Sequence, residues 1–413
     1  MVSPFLPDDA KVAAVREALP ATGAGGYLNA GTSGPLPRET AKAMADLADY
    51  ELTVGRSSFD NYLAAVERMA EVRAAVAAVL STDVGTVALT HSTANGMNIA
   101  TWGLDWRPGD RAVTTSREHA GGLGPLLALR DARGVALDVV DIGDGGDDEM
   151  MLAGFDRAIV TGKTRLVAIS QVTWATGAVL PVRAIADLAH SRGAFVLVDG
   201  AQAAGAIPVD VATLGGDAYA LPAQKWLLGP EGMGALWVAP AALERIRPTF
   251  TAYFTYDHLA PGEPYQLFPD ARRFESGTLN QPAVIGFGRS LGWLAMYVGL
   301  EWIYERAGRL ARRTADALAA MSGVTVVTPR HQMASLITFR IDGWPAETVL
   351  EELGRRTFAI ARTVPNTDLL RFSVGFWNTE AELDRVLRTV EEIAGHTPES
   401  LPSRPSLTIL GEG

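Results

Sequence analysis

The strongest constraint on this chain is its alternation of short β-branched runs with longer, Ala-rich helical patterns from residue 86 to residue 238. Strands are predicted at 86–90, 111–115, 137–142, 165–171, 194–198, 218–221 and 235–238. Helical patterns lie between them. In 183–191, for example, Ile185, Leu188 and Ala189 recur at helical spacing, and Gly193 ends that helix just before the strand AFVLVDG. Such alternation reads as an α/β fold with a mostly parallel seven-stranded sheet covered by helices on both faces. Ligands of such sheets bind at the C-terminal ends of the strands.

The pattern changes after Pro282. Helical segments at 286–318 and 347–356 alternate with isolated strands at 323–327, 335–340 and 370–374, and a helix at 380–394 closes the chain. This predicts a smaller α+β domain. The leading helix, 8–19, is expected to pack beside it, giving a large domain over 26–282 and a small one from 1–25 and 283–413. The tail beyond Pro398 reads as loosely tethered coil.

Composition limits the function. The 413 residues suffice for two or three domains, and 48% hydrophobic residues exclude disorder as the main state. A net charge of −11 with no basic tail argues against nucleic acid and against anionic membrane. No apolar run is long enough to span a bilayer, and MVSPFLPDDAKVAAVREALP lacks the shape of a signal peptide, so a cytoplasmic enzyme is expected. There is no cysteine at all, which removes disulfides, thiolate metal sites and thiolate nucleophiles. The acidic stretch GDGGDDE lacks the alternating ligands of a calcium loop, and no metal site is expected.

Four features carry chemistry. Lysine is scarce, and Lys225 stands apart from Lys11, Lys42 and Lys163 because it lies between apolar runs ahead of the turn GPEGMG. A buried lysine loses its proton easily and can hold an aldehyde cofactor covalently, although a strand-end lysine that snorkels fits the same context. Asp199 ends an apolar strand, where a carboxylate can pair with the protonated ring nitrogen of pyridoxal phosphate, and Gln202 can donate to the phenolic oxygen of the same ring. Alone, that aspartate fits a helix cap or a metal ligand equally well. Thr93 and Ala94 open a helix whose free N–H groups suit a phosphate. His119, just past a strand, can stack on a flat ring or move protons; a hydrogen-bonded surface histidine is the plainer alternative.

The succession LNAGTSGPLP, HSTANG, EHAG, VTWATGAVLP, VDGAQAAG, QKWLLGPEGMG, FESGT and LLRFSVGFWNTEAELD resembles the class V aminotransferase family over nearly the whole chain. Within it, the likeness is greatest to cysteine/cystine C–S lyases. The resemblance implies a PLP-dependent transferase (aspartate aminotransferase-like) fold and pyridoxal 5'-phosphate as cofactor. It makes Lys225 the Schiff-base lysine, Asp199 the pyridinium partner, Gln202 the contact to the phenolic oxygen and His119 the stacking and catalytic residue. Thr93, Ala94, Asn95 and Gln224 would hold the phosphate. Arg371 would grip the substrate carboxylate, with Arg362 as a second grip, and Thr278 would reach the phosphate from the partner of a homodimer with composite sites. The sequence departs from the family at Ala223 and Gln224, where Ser or Thr and His precede the lysine, and at Ala175, where related lyases carry an amide.

The activity implied is a C–S β-lyase acting on cysteine, cystine or an S-substituted cysteine, through aminoacrylate to pyruvate and ammonia. An aminotransferase or an isopenicillin-N-epimerase-like epimerase on the same scaffold is the alternative, and Lys225, Asp199 and Arg371 together speak against a non-catalytic relative. Because desulfurases of the family use a mobile cysteine thiolate, the missing cysteine predicts that this is not a persulfide-forming cysteine desulfurase.

Overall fold

The seven strands expected from 86 to 238 all form, within a residue or two of their predicted bounds. In a computed structural model that describes residues 2–403, they are Val87–Thr90 (β1), Arg111–Thr115 (β2), Ala136–Val140 (β3), Thr164–Ser170 (β4), Phe195–Asp199 (β5), Ala218–Pro222 (β6) and Gly234–Val238 (β7). The predicted tail past residue 403 lies outside the described residues. The strands make one sheet in the order β1-β7-β6-β5-β4-β2-β3. From β3 to β6 all pairings are parallel, whereas β7 runs antiparallel to both its neighbours.

Burial follows the two-residue period of the strands. Val196, Val198, Tyr219 and Leu221 enter one core cluster, while Phe195, Leu197, Ala218 and Ala220 enter another on the opposite face. Both faces are covered by helices: Asp8–Ala18 (α1), Arg38–Thr53 (α2), Phe59–Val79 (α3), Thr93–Gly103 (α4), Ala120–Arg133 (α5), Asp148–Ala158 (α6), Val182–Ser191 (α7) and Val211–Leu214 (α8), together with later helices. That double cover explains why β5, β6 and β7 are buried at every position. Gly193 follows α7 at φ +80°, the left-handed turn expected of a residue ending a helix.

The long helix predicted at 286–318 is broken. Gln281–Gly292 (α9) runs into a π-helical turn, Trp293–Val298, and the chain bends by 83° before Leu300–Ala319 (α10). The break falls at Gly299, whose φ of +92° is costly for any residue with a Cβ. The apolar run before it masks the break in the sequence. Among the described residues, no single helix is long and apolar enough to cross a membrane.

A short hairpin, Tyr256–His258 (β8) with Gln266–Leu267 (β9), precedes these helices. The second sheet is antiparallel, in the order β10-β11-β13-β12, and contains Val324–Val326 (β10), Leu336–Ile341 (β11), Arg362–Val364 (β12) and Leu369–Ser373 (β13). Ala346–Thr357 (α11) and α10 pack on it, and Glu380–Ala394 (α12) packs against both of those helices. Thr379 and Glu382 close α12 with a reciprocal capping box, an arrangement in which the Thr cap alone is worth about 1 kcal/mol.

The two cores meet inside α10, where Ile303 and Ala307 pack with the large sheet and Leu310 onward with the small one. The handover is therefore not at Pro282. Nor does α1 belong to the small side alone: Val15 and Leu19 enter the large core, while Arg16 pairs with Glu382 of α12. The small sheet is laced to the large unit: Arg371 Nη1 of β13 donates to Trp174 O (2.8 Å), Thr338 Oγ1 of β11 to Ala175 O (2.8 Å), and the Ala334 N–H to Gly177 O (3.3 Å). This brings β13 against the strand ends of the main sheet.

Candidate active site

At those strand ends lies a cavity of about 270 Å³. It gathers Thr93, Ala94, His119, Asp199, Gln202, Gln224, Lys225, Arg362 and Arg371 from six separate stretches of sequence. Two residues proposed for the same site are not in it. Asn95 turns towards a different hollow, its side chain accepts from the His91 N–H (3.2 Å), and its own N–H is taken by Ser92 Oγ (3.1 Å). Its backbone N–H is thus used in the α4 cap, and Asn95 is not part of this cavity's lining. Thr278 lines a separate cavity of about 560 Å³ with Tyr62 and Tyr253.

Asp199 is the last residue of β5 and is 4% exposed. One oxygen accepts from the Ala201 N–H (2.8 Å); the other has no donor among the described residues. Burial raises its pKa, opposed by the charge of Lys225 and that hydrogen bond. Lys225 follows β6 in the turn to β7, where Gly34 packs against its carbonyl and Gly34 N–H donates to Gln224 O (2.7 Å). A Cβ on residue 34 would lie 2.3 Å from the Lys225 carbonyl oxygen, so only glycine allows this approach. No hydrogen bond or ion pair among the described residues holds Nζ. Burial lowers Lys225 to about 8; Asp199 opposes this, and Arg371 and Arg362 reinforce it.

The phosphate side is the start of α4. Ser92 caps the helix, the first-turn N–H groups of Thr93 and Ala94 have no helical acceptor, and the buried Thr93 hydroxyl has no partner. His119 caps α5 through its ring: Nδ1 accepts from the Gly121 N–H (3.1 Å), which leaves the ring proton of a neutral imidazole on Nε2. Burial, then Lys225, Arg362 and Arg371, lower its pKa to about 4, so His119 is neutral at physiological pH. Gln202 is held by two bonds, Nε2 to Gly31 O (2.8 Å) and Oε1 from Trp226 Nε1 (3.0 Å). One amide hydrogen remains for a ligand.

The opposite wall comes from the small sheet. Arg371 on β13 stands in register with Arg362 on β12 and is 1% exposed. Its Nη1 donates to Trp174 O (2.8 Å), but Nε and Nη2 have no partner among the described residues. Burial and Arg362 lower its pKa to about 9, which leaves it a cation at neutral pH. Arg362 is held by Thr32 Oγ1 (3.0 Å) and by Thr363 O (3.1 Å). Trp174, in the motif VTWATG, meets His119 edge-on with centroids 5.4 Å apart. It was not singled out from the sequence, nor was Glu118, whose position next to His119 was the available signal. Ala175 and Ala223 are buried outside the cavity lining. Among the described residues, no group of three His, Asp or Glu is placed to hold a metal.

The donor set fits pyridoxal phosphate. A buried carboxylate with one free oxygen, an untied amine of lowered pKa, a helix start with spare N–H groups and an unpartnered hydroxyl, and a flat neutral imidazole all share one cavity.

The model of the "Aminotransferase class-V" family matches residues 27–386. A probable cysteine desulfurase of Methanothermobacter thermautotrophicus is 29% identical over 385 residues, covering 89% of this chain and 94% of that protein. One of Pseudomonas aeruginosa is 32% identical over 313 residues, covering 72% and 76%. Among solved structures, the cystine C–S lyase C-DES in complex with its reaction product cysteine persulfide has a TM-score of 0.85 at 26% identity, covering 92% of this chain and all of that one. A C-DES mutant with glycine covalently linked to its PLP cofactor matches equally well, with a TM-score of 0.85. The cysteine desulfurase CsdA of Escherichia coli, in its S-sulfonic acid form, has a TM-score of 0.79 at 25% identity, covering 92% and 97%.

These likenesses establish pyridoxal phosphate as the cofactor and overturn one expectation. The missing cysteine led to the exclusion of a persulfide-forming cysteine desulfurase, yet the relatives bear that name and CsdA is a structural neighbour. Cysteine content bears on where a chain can carry sulfur, not on whether a persulfide forms. In the C-DES complex the persulfide is on the small molecule.

Proposed function

We propose, from the premise that the chain belongs to the class-V aminotransferase family of pyridoxal-phosphate enzymes, that it cleaves the Cβ–S bond of cysteine, cystine or an S-substituted cysteine. The observation that carries this reading is the fork of Arg371: two buried, unpartnered guanidinium nitrogens in the cavity that also holds Lys225 and Asp199. A planar fork of this kind takes a carboxylate bidentately, which assigns the site to an α-amino acid. The likeness to C-DES and to cysteine desulfurases supports sulfur on Cβ.

When bound, pyridoxal phosphate supplies an electron sink for charge at the substrate carbon that bears the amine. Asp199 would hold its ring nitrogen, Gln202 its phenolic oxygen, and Thr93, Ala94 and Gln224 its phosphate. Arg371 fixes the carboxylate, and so fixes which bond of Cα faces Lys225. With a pKa of about 8, Lys225 is a neutral amine in a useful fraction of molecules near neutrality and takes the Cα proton at Nζ. Trp174 ties the fork to the wall of the site through its carbonyl and its contact with His119. The sulfur leaves from Cβ as sulfide, thiolate or persulfide according to its substituent, and water then converts the released three-carbon product to pyruvate and ammonia.

A homodimer with composite sites goes with this reading. Thr278 sits away from Lys225, beside the exposed aromatic side chains of Tyr253 and of Tyr62 in α3, on which Phe59 stacks. That surface suits a second copy, which would bring Thr278 to its partner's phosphate. Mixing a Lys225→Ala chain with a Thr278→Val chain tests it: recovery of one competent site supports the composite arrangement, and a monomer by sedimentation refutes it. A cytoplasmic location fits the reading as well.

The activity is tested with a panel of amino acids assayed for pyruvate, ammonia and sulfide. Release of pyruvate from cystine or S-alkyl cysteines without added keto acid is the expected result. Turnover only with a keto-acid acceptor, or inversion at Cα without pyruvate, would replace the lyase reading by transamination or epimerisation.

A further inference from the structure

Glu118 is a half-buried residue whose carboxyl the reaction above does not use. It lies between β2 and α5, and its bonds reach two strand ends. Thr115 Oγ1 donates to Oε1 (2.7 Å), the Ser170 N–H donates to the same oxygen (3.1 Å), and Ser170 Oγ lies 2.6 Å from Oε2. Ser170 is in register with Asp199 across β4 and β5. From the other side, a Cβ at Gly122 would stand 3.6 Å from Asp199 Oδ2 and 3.9 Å from Glu118 Oε2, so both carboxyls converge on that glycine together with the Met97 methyl. Among the described residues no Lys or Arg pairs with Glu118.

Two carboxylates that converge on one glycine resist being ionised together. The hydrogen bonds show where a proton can sit. Oε1 already accepts two donors, whereas Oε2 has a single hydroxyl partner that can accept as well as donate. Protonating Oε2 reverses the Ser170 bond and leaves both donors to Oε1 in place.

We propose that Glu118 is the proton-holding neighbour of Asp199: it keeps a proton while Asp199 lacks a ring nitrogen, and gives it up when a protonated pyridine pairs with Asp199. This rests on the assignment of Asp199 to the ring nitrogen made above. In the step, the Glu118 O–H bond breaks, the proton goes to bulk buffer, and the pair moves from one negative charge to two as the ring N–H⁺ brings one positive charge. Glu118 acts through Asp199 and is a positioning residue. Its pKa, raised to about 7 by burial and by Asp199 against its three hydrogen bonds, suits such a change near neutrality. The other charged or titratable groups facing the cavity are His119, which is neutral, and the cations Lys225, Arg362 and Arg371.

The test compares cofactor-free and cofactor-loaded full-length protein, wild type against Glu118→Gln, without turnover. Infrared difference spectra at about pH 6.5 should show a protonated-carboxyl band in cofactor-free wild type that is lost on loading and is absent from Glu118→Gln. Calorimetric titration with pyridoxal phosphate in buffers of different ionisation heat should give the wild type most of one extra released proton at about pH 6.5, fading by about pH 8.5. Equal proton counts in the two proteins overturn the proposal. If Glu118→Gln does not fold, the wild-type spectrum decides alone: no such band in the cofactor-free form overturns it. Asp199→Asn separates the two assignments. Weak, spectrally altered loading in that variant keeps Asp199 at the ring nitrogen whatever Glu118→Gln shows; unchanged loading removes both.

Discussion

The two walls of the cavity are built on different terms. The wall made by the large sheet holds several groups in place before any ligand arrives, with two hydrogen bonds on Gln202, one on Asp199 and His119 tied to its own helix, and it leaves open Lys225 Nζ, the second Asp199 oxygen and the Thr93 hydroxyl. The wall made by the small sheet leaves a buried charge open. Arg371 is as buried as the core, yet two of its nitrogens have no partner, and its cross-strand neighbour is another cation, Arg362. A buried charged donor left unpaired costs at least about 1–3 kcal/mol. The difference teaches that one wall is fitted to a resident group and the other to a visiting anion, whose carboxylate relieves the unpaired charge.

Breaking the resident side should have the largest effect. Lys225→Ala removes both the covalent tether and the base, and kcat is expected to fall by about a thousandfold or more, with loss of the visible absorbance of the bound cofactor. Retention of that absorbance and of turnover would break the assignment.

The visiting side should trade stability for function. Arg371→Met is expected to lower kcat/KM by about a hundredfold while raising the Tm of the substrate-free protein, because an unpaired buried charge is gone. A variant that loses both activity and Tm would mean that Arg371 is a structural residue.

The lysine also carries a pH signature. Its folded pKa of about 8 lies below the ordinary value of 10.5, so between these limits the unfolded chain binds more protons. Stability of the cofactor-free protein should therefore rise with pH over that window as far as Lys225 contributes, and Lys225→Met should remove the rise. Denaturant titrations at both ends of the window check it. Arg371 contributes with the same sign. The smallest effect is expected for Arg362→Gln, about three- to tenfold in kcat/KM, because Arg362 is at the half-exposed rim and already bonded to Thr32.

Much of this was legible in the sequence. The β-branched runs placed the main strands, and strand-end positions singled out Lys225 and Asp199, because a two-residue burial period leaves few alternatives for such segments. What was hidden has physical causes. Gly299 breaks a long helix with no polar interruption to announce it. Strand β12 has only three residues, two of them polar, and forms by pairing with β13. Glu118 looks like an ordinary surface charge in SREH, and only the fold brings Ser170 and Asp199 beside it. Asn95 spends its N–H and its side-chain oxygen on the start of α4, a local arrangement invisible at the level of motif. The missing cysteine was over-read, since it limits where sulfur can be carried rather than which bond is cleaved.

The central claim is that Arg371 and Lys225 serve one substrate, with the fork holding the carboxylate of the amino acid whose Cα proton the lysine removes. The most direct measurement compares cysteine with cysteamine, which lacks only the carboxylate, in wild type and in Arg371→Met, following sulfide release. The expected result is a preference for cysteine of about a hundredfold in wild type that largely disappears in Arg371→Met, the non-additivity of two changes to one contact. Equal turnover of both compounds by wild type, or a preference that survives in Arg371→Met, would contradict it.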